Sequence, residues 1–435
     1  MSELQERHGA IPHLLLPTGK GLLYSFLMFF LMLYILLSWV PRFSTVGEVP
    51  VSAALIPPLI FLLLLVLLKR SFRIHIPIAS DRGVIAAIVT TSFFLSVLAT
   101  LSVLRSPDAF LTTRVSYSHI AGLVIFLTFL LACVNQRRFA NVFALMAVMG
   151  AFTSAISILS VNVGSLEFMI FRETGRTAAL FKHPNQLGMV ISSTAPLVVA
   201  WIYLRFGVVT AVLGAFLVFA GSVYSGSKTN LVLSAVAMAP VFFAISSTVK
   251  NRLLRAISVI LFVGFVFLAI PLAINFVEIV SPRAHRLLFS FTSGRVDEIA
   301  SLMSRFDIWA ESIKLALNNP LLGVGAGQPI GMWPHSHNVV LDYFRTLGFP
   351  GLLLIVLQLL FVLGYVGKVL FQSRCLPANE RLVVIALCWA IFIFILANQS
   401  SESFGPNTFP FYWILMGMLI AFRGLCLPRN FVKQG

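Results

Sequence analysis

The chain has 435 residues, of which 59% are hydrophobic and 11% are charged, and its mean hydropathy is +0.96. Soluble domains contain about 45–50% apolar and about 25% charged residues, so this composition excludes a soluble enzyme, a disordered chain and a collagen-like fibre. In a soluble protein, the formal net charge of +16 would suggest binding to nucleic acid. In a membrane protein, the distribution of this charge between the two sides of the bilayer has to be considered first. We expect a polytopic membrane protein with no nucleic-acid partner.

Apolar stretches of membrane-spanning length recur along the whole chain. A bilayer core about 30 Å thick is crossed by roughly 20 apolar residues in a helix, whose backbone groups satisfy one another's hydrogen bonds. The pattern predicts an all-α polytopic membrane protein, a single domain over 1–435, with larger loops at 159–185 and 276–336. The twelve predicted spans lie near 21–40, 49–68, 84–104, 117–134, 139–158, 186–204, 207–223, 229–248, 256–275, 349–371, 382–398 and 409–422.

Basic residues concentrate in every second loop between these spans. Examples are Arg137 and Arg138, Lys250 and Arg252, and Arg374 and Arg381. Because short cytoplasmic loops are enriched in Lys and Arg, we expect both termini in the cytoplasm and the loops 159–185 and 276–336 on the outer face. The polar N-terminal segment lacks a small-residue cleavage site, so the first span is expected to be a retained anchor.

The first polar motif, TGRTAALFKHPNQLG at 174–188, carries Arg176, Lys182, His183 and Asn185 at the end of the shorter outer loop. Pro followed by Asn suits a turn that leads into a helix. The alternative to a functional role is an interfacial anchor, in which Lys and Arg extend their charged ends to the headgroups.

The second motif, YSGSKTN at 224–230, places Lys228 in a short turn between two predicted spans. Backbone N–H groups of Ser225, Gly226 and Ser227 near a helix N-terminus would suit a phosphate group. The spacing is not that of a P-loop, so nucleotide binding is not indicated. The alternative is a plain turn with one basic residue.

An amphipathic helix is predicted inside the long outer loop. Its apolar positions recur at three- and four-residue steps, at Leu302, Phe306, Trp309, Ile313 and Leu317. Asn318 to Pro320 should end it, and GVGAG at 323–327 gives an irregular return to the membrane. Arg305 near the helix start opposes the helix dipole, so it needs a partner: either an anionic ligand or, alternatively, Asp307 or Glu311.

The fourth motif, HSHNVVLDYFRTLGFPG at 335–351, presents His335, His337 and Asn338 at the outer end of a predicted span. Two His residues separated by one position point in different directions on a helix, so they do not suit a metal site. Four scattered cysteines indicate neither a disulfide framework nor a metal centre. An isolated interfacial His is the alternative to a functional one.

Together, these motifs resemble the O-antigen ligase and polymerase superfamily of bacterial envelope glycan enzymes, over about 174–351. The resemblance is carried by GR followed by HPNQLG, by SGSK, by the R…W helix followed by PLLGVGAG, and by HN with glycines after it. The family usually has Arg where this chain has Lys228, which keeps the charge but loses the bidentate fork.

The resemblance implies a GT-C-like glycosyltransferase of the bacterial inner membrane that acts on the periplasmic face among membrane lipids. Its donor would be an undecaprenyl-diphosphate-linked glycan and its acceptor lipid A-core, without cofactor or metal, because cations can neutralise the diphosphate leaving group. His337 would be the general base, and Arg305 and Lys228 would complete the catalytic set. The expected substrate-binding residues are Arg176, Lys182, His183, Asn185, Arg295, His335 and Asn338.

Ligation to lipid A-core is the preferred activity, and polymerisation of repeat units with the same donor is the close alternative. Retention would need a nucleophilic carboxylate, for which Asp342 and Glu402 are the only nearby candidates, and no second acid is identifiable. Inversion at the anomeric carbon is therefore favoured. A transporter or flippase would carry charges midway along several spans. The predicted spans are almost free of charge, so transport is the least favoured reading.

Overall fold

The computed structural model describes residues 22–43, 45–46, 49–68, 79–133, 136–171, 176–248, 300–399 and 409–426. The predicted span 256–275 lies outside these ranges, as do Arg295 and Glu402.

The described residues are mostly α-helical. The helices are α1 (Leu22–Ser38), α2 (Ile56–Leu68), α3 (Ala79–Leu101), α4 (Ala109–Ala132), α5 (Gln136–Asn162), α6 (Pro184–Phe206), α7 (Val208–Tyr224), α8 (Lys228–Thr248), α9 (Ala300–Asn318), α10 (Val339–Gln372), α11 (Ala378–Asn398) and α12 (Phe409–Cys426). Two short antiparallel pairs lie in loops, β1 (Thr45–Val46) with β2 (Val49–Pro50), and β3 (Ile170–Phe171) with β4 (Arg176–Thr177).

Eight of these helices, namely α3 to α6, α8 and α10 to α12, are long and apolar enough to cross a membrane, while α1, α2 and α7 are apolar but shorter. Each predicted span inside the described ranges coincides with one of these helices. An all-α polytopic membrane protein is therefore confirmed.

Two helices begin well before the predicted apolar spans, because a polar side chain caps each of them. The Asp108 carboxylate accepts from the Leu111 N–H at 2.9 Å, so α4 begins at Ala109. The Asn338 side chain accepts from the Leu341 N–H at 3.0 Å and caps α10 in the same way. Hydropathy alone misses such first turns, since capping depends on a polar residue.

Helix α6 is the centre of the core and packs against α5, α7, α8 and α11. Its small and apolar residues are buried all round from Pro184 to Ala200, apart from half-buried Asn185, as expected for a helix enclosed by other helices. Glycine permits close approach at the α5 contact, where a Cβ on Gly150 would lie 2.9 Å from Thr194 Oγ1. Small residues of this kind let helices pack tightly inside membranes.

The antiparallel order of the helices places the four sequence motifs at one end of the bundle, called here the motif end. It contains the starts of α4, α6, α8, α10 and α12. Hydrogen bonds between distant loops hold the motif end together. Gln328 Nε2 donates to Ser106 Oγ at 2.7 Å, and the Arg42 N–H donates to the Leu180 carbonyl at 3.1 Å.

The opposite end is joined by a buried ion cluster. Asp81 of α3 is 1% exposed and lies 2.8 Å from Lys368 Nζ of α10. It also pairs with buried Arg423 of α12. Because a buried charge is costly unless paired, this cluster fixes the three helices in register.

Candidate functional site

Arg176 connects the first motif to the second. From β4, its Nε donates to the Ser225 carbonyl at 2.9 Å and its Nη2 donates to Asn185 Oδ1 at 2.8 Å. Gly226 has φ of 61°, and a Cβ there would lie 2.8 Å from Arg176 Nε. The glycine is therefore required both for the left-handed turn and for the space that the guanidinium occupies.

The start of α6 packs directly on the same turn. His183 precedes the helix, and its Nδ1 accepts from the Asn185 N–H at 3.1 Å, while Pro184 occupies the first helical position. Asn230 Nδ2 donates to the Asn185 carbonyl at 3.3 Å and to Ser227 Oγ at 2.7 Å. Lys182 is half-buried in this loop.

The turn at 225–227 differs from the predicted phosphate cradle. The Ser225 and Gly226 N–H groups donate to the carbonyls of Gly221 and Val223, and the Ser227 N–H donates to Ser225 Oγ. All three groups are thus used inside the turn, because α7 and α8 are joined so tightly. The expectation that they face a phosphate is wrong for this conformation. Lys228 is the first residue of α8.

Helix α9 occupies the segment where the sequence predicts an amphipathic helix, and the structure shows which of its faces is buried. The side chains of Phe306, Ile313 and Leu317 are exposed, whereas Ile308 and Ser312 are buried. Three of the five apolar positions named from the sequence are thus exposed. In a membrane protein an apolar stripe can instead face lipid at the interface, which leaves the less apolar face for the protein.

Arg305 lies on this inward face. It is half-buried, and burial lowers the pKa of its guanidinium. Glu311 pairs with Lys314 at 3.6 Å, and the described residues show no ion pair between Arg305 and either Asp307 or Glu311. The intrahelical partners considered from the sequence are therefore not used.

Trp309 joins α9 to the fourth motif. It stands four residues after Arg305 and so lies on the same face of the helix. Its Nε1 donates to the Ser336 carbonyl at 2.9 Å, and Ser336 directly precedes His337. Arg305 is therefore on the helix face that meets the histidine loop.

The glycine-rich return at 323–327 packs into a break in α10. Gly348 has φ of 71° inside the helix, and Pro350 lacks an N–H group. The Arg345 and Thr346 carbonyls instead accept from the Val324 and Gly325 N–H groups at 3.0 and 3.1 Å. The return thus satisfies backbone groups that the break exposes.

A buried ion pair fixes the histidine loop. Asp342 Oδ1 accepts from the Ser336 N–H at 2.9 Å and from Arg345 Nη2 at 3.1 Å. Arg345, 1% exposed, also donates to the Gln328 carbonyl. Asn338 caps the start of α10, and its backbone carbonyl accepts from Ser336 Oγ at 2.7 Å.

His337 has a left-handed backbone, with φ of 56°. Its N–H donates to His335 Nδ1 at 3.2 Å, and the two rings are 4.3 Å apart. A non-glycine residue in this conformation costs about 1–3 kcal/mol and persists where its surroundings enforce it.

The structure therefore joins Arg176 to Asn185, and the helix of Arg305 to the loop of His337, with both groups at the motif end. Sequence reasoning did not single out Gln328, whose Nε2 lies within 3.0 Å of oxygens of Ser106, Asp108 and Thr112. Contacts between residues so far apart leave no local signal. Ser336 was also missed, although a Ser two residues before a helix-capping Asn is a recognisable turn pattern.

The described residues contain no group of three or more His, Cys, Asp or Glu side chains that could hold a metal ion. The donors collected at the motif end are guanidinium, imidazole, amide and hydroxyl groups. Such a set suits hydrogen bonding to an anion and to sugar hydroxyls.

Comparison with protein-family models gives a match to part of the chain. Residues 213–356 match the family model described as O-antigen ligase, over about a third of the chain, from α7 through the break in α10. No curated protein sequence matches the chain. The matched segment contains Lys228, Arg305 and His337, and it supports the resemblance of this part of the chain to the O-antigen ligase and polymerase superfamily.

Proposed function

We propose that this protein is an O-antigen ligase of the bacterial inner membrane, with twelve spans, a GT-C-like fold and both termini in the cytoplasm. It transfers a glycan from undecaprenyl diphosphate to a sugar hydroxyl of lipid A-core on the periplasmic face. The acceptor oxygen bonds to the anomeric carbon as the bond from that carbon to the diphosphate breaks. His337 takes the hydroxyl proton, and the diphosphate leaves with its charge neutralised by Arg305 and Lys228.

The observation that carries this proposal is the environment of Arg305. Its guanidinium is half-buried and has no carboxylate partner within the described ranges. It lies on the helix face that is tied to the histidine loop through Trp309 and Ser336. A partly desolvated cation gains most from an anion, and a lipid diphosphate is the anion that this reaction brings to headgroup height. Transfer that relies on such cations needs no metal.

His337 is proposed as the base because its imidazole can accept a proton and its backbone is held in place by neighbouring residues. Imidazole has an ordinary pKa of about 6.5 and so accepts protons near neutral pH. The neighbouring His335 uses Nδ1 to hold the His337 backbone. With Arg176, Lys182, His183, Asn185 and Asn338, His335 lines the proposed substrate site.

Inversion is supported by the contacts of Asp342. This carboxylate is buried and accepts from Arg345 and from the Ser336 N–H. A nucleophile for a retaining mechanism must instead reach the anomeric carbon. Direct attack by the acceptor hydroxyl is therefore the proposed path.

An apolar groove of about 430 Å³ between α3 and α4 supports a lipid-linked donor. Its polar members, Ser96 and Thr100, donate to carbonyls of their own helix at 2.9 and 2.8 Å, so the wall is effectively apolar. The groove reaches Leu101, next to the segment where Ser102 Oγ accepts from the Ala326 N–H of the glycine-rich return. It would hold part of the polyprenyl chain.

The test is a metal-free assay with the purified protein, an undecaprenyl-diphosphate-linked glycan and lipid A-core. We expect glycan-bearing lipid A-core to form in the presence of a chelator. Deletion of the gene should remove long glycans from lipid A while carrier-linked polymer accumulates. Lipid A cores capped with a single repeat would instead identify a polymerase, and unchanged glycans on both lipids would contradict both activities.

A further inference from the structure

A second groove, of about 650 Å³, lies between α8, α10 and α11 at the end of the bundle opposite the motifs. Its polar lining residues all lie close to helix ends. Ser247 is one residue before the end of α8, Arg374 follows the end of α10, and Arg381 is in the first turn of α11. The groove is therefore charged at the height where a membrane helix meets water.

The remaining walls are apolar and extend towards the membrane interior. Trp389 stands eight residues after Arg381, about 12 Å further along the helix axis. Val236 and Pro240 line the facing wall on α8, where the proline has no N–H for the Val236 carbonyl and so weakens the helix. The groove thus has the polarity profile of a phospholipid: a charged end and a long apolar slot.

The two arginines form no ion pair among the described residues. Arg381 Nη2 donates to Ser247 Oγ at 3.1 Å, and the Arg374 guanidinium lies 5.0 Å from the centre of the Phe371 ring. Neither forms an ion pair with Glu380 or another carboxylate in the described ranges. Two cations at the mouth of an apolar groove favour an anionic headgroup over a zwitterionic one.

We propose that this groove binds an anionic glycerophospholipid, with the phosphate between Arg374 and Arg381 and an acyl chain along Val236 and Trp389. The site is separate from the motif end, and it is independent of the proposed glycan transfer.

Trp389 provides a direct probe of occupancy. The protein is reconstituted in phosphatidylcholine vesicles, and brominated phosphatidylglycerol or brominated phosphatidylcholine is added to quench tryptophan fluorescence. The Trp389 component is the signal lost in Trp389→Phe. We expect phosphatidylglycerol to quench it at about a twenty-five-fold lower mole fraction, since each basic residue near the surface contributes about fivefold.

The double variant Arg374→Gln/Arg381→Gln should remove this preference. The matched control is Arg205→Gln, which removes an exposed cation at the same end of the bundle, on α6, and should leave the preference unchanged. High salt should also weaken the preference of the wild-type protein, because the screening length falls to about 3 Å at 1 M. Equal quenching by both lipids in the wild-type protein would overturn the proposal. The same holds if Arg205→Gln loses the preference for phosphatidylglycerol as fully as the double variant does.

Discussion

At the scale of single residues, His337 has two roles that one substitution can separate. Asn tolerates the left-handed backbone that this position requires, but it cannot accept the proton from the sugar hydroxyl. We predict that His337→Asn lowers turnover by about 100- to 10,000-fold while the melting temperature stays near that of the wild-type protein. Turnover is measured with the lipid-linked donor, and melting is followed in detergent.

Two further variants serve as controls for this prediction. His335→Asn keeps an acceptor for the His337 N–H, so its melting temperature should stay near that of the wild-type protein and its loss of turnover should be smaller than that of His337→Asn. His337→Ala should lose turnover and also melt earlier, since alanine is strained at φ of 56°. Full turnover in His337→Asn would show that the base is another group.

Arg305 gives a second prediction at this scale. Removing one preorganised charge partner of a developing anion typically costs about 100- to 1,000-fold in rate, so Arg305→Ala should lower turnover by that amount. Lys314→Ala removes a cation from the same helix, but Lys314 is 69% exposed and pairs with Glu311, so its turnover should be unchanged. Comparable losses in both variants would indicate a general effect of charge on α9.

At the scale of elements, the break in α10 determines where the histidine loop lies. A Cβ on Gly348 would lie 2.3 Å from the Pro320 carbonyl oxygen, and its φ of 71° disfavours other residues. We predict that Gly348→Ala destabilises the protein by about 2 kcal/mol or more. Gly364→Ala in the same helix meets nothing within 4 Å and should be neutral or slightly stabilising.

Melting temperatures of the two glycine variants in detergent test this prediction. Equal melting temperatures for both variants would show that the glycine-rich return at 323–327 does not depend on the break.

The same elements show what sequence periodicity can and cannot predict. The spacing of apolar residues placed α9 correctly, because a helix of period 3.6 needs no tertiary information. It did not predict which face is buried, since exposed Phe306 and Ile313 suit lipid as well as protein. The predicted phosphate site at 225–227 was wrong because the three backbone N–H groups donate to acceptors within the turn itself.

At the scale of the whole molecule, hydropathy predicted every described span, since the bilayer imposes length and apolarity on each helix separately. It could not predict the buried cluster of Asp81, Lys368 and Arg423, whose members come from three distant helices. The candidate site likewise has a part that the sequence could predict and a part that it could not. Residue types within each motif were predictable, whereas the bonds from Trp309 to Ser336 and from Arg176 to Ser225 depend on the packed bundle.

Orientation is the last property of the whole molecule, and one native cysteine tests it. Cys375 is exposed at the end opposite the motifs, while Cys133, Cys388 and Cys426 are buried. Because basic loops stay in the cytoplasm, we predict that a membrane-impermeant maleimide labels Cys375 in inside-out vesicles and not in intact spheroplasts. Met332→Cys in a Cys375→Ser background carries its thiol at the motif end, where Met332 is 88% exposed, and should show the reverse pattern. Labelling of Cys375 from outside would place the motif end in the cytoplasm, where no periplasmic glycan transfer could occur.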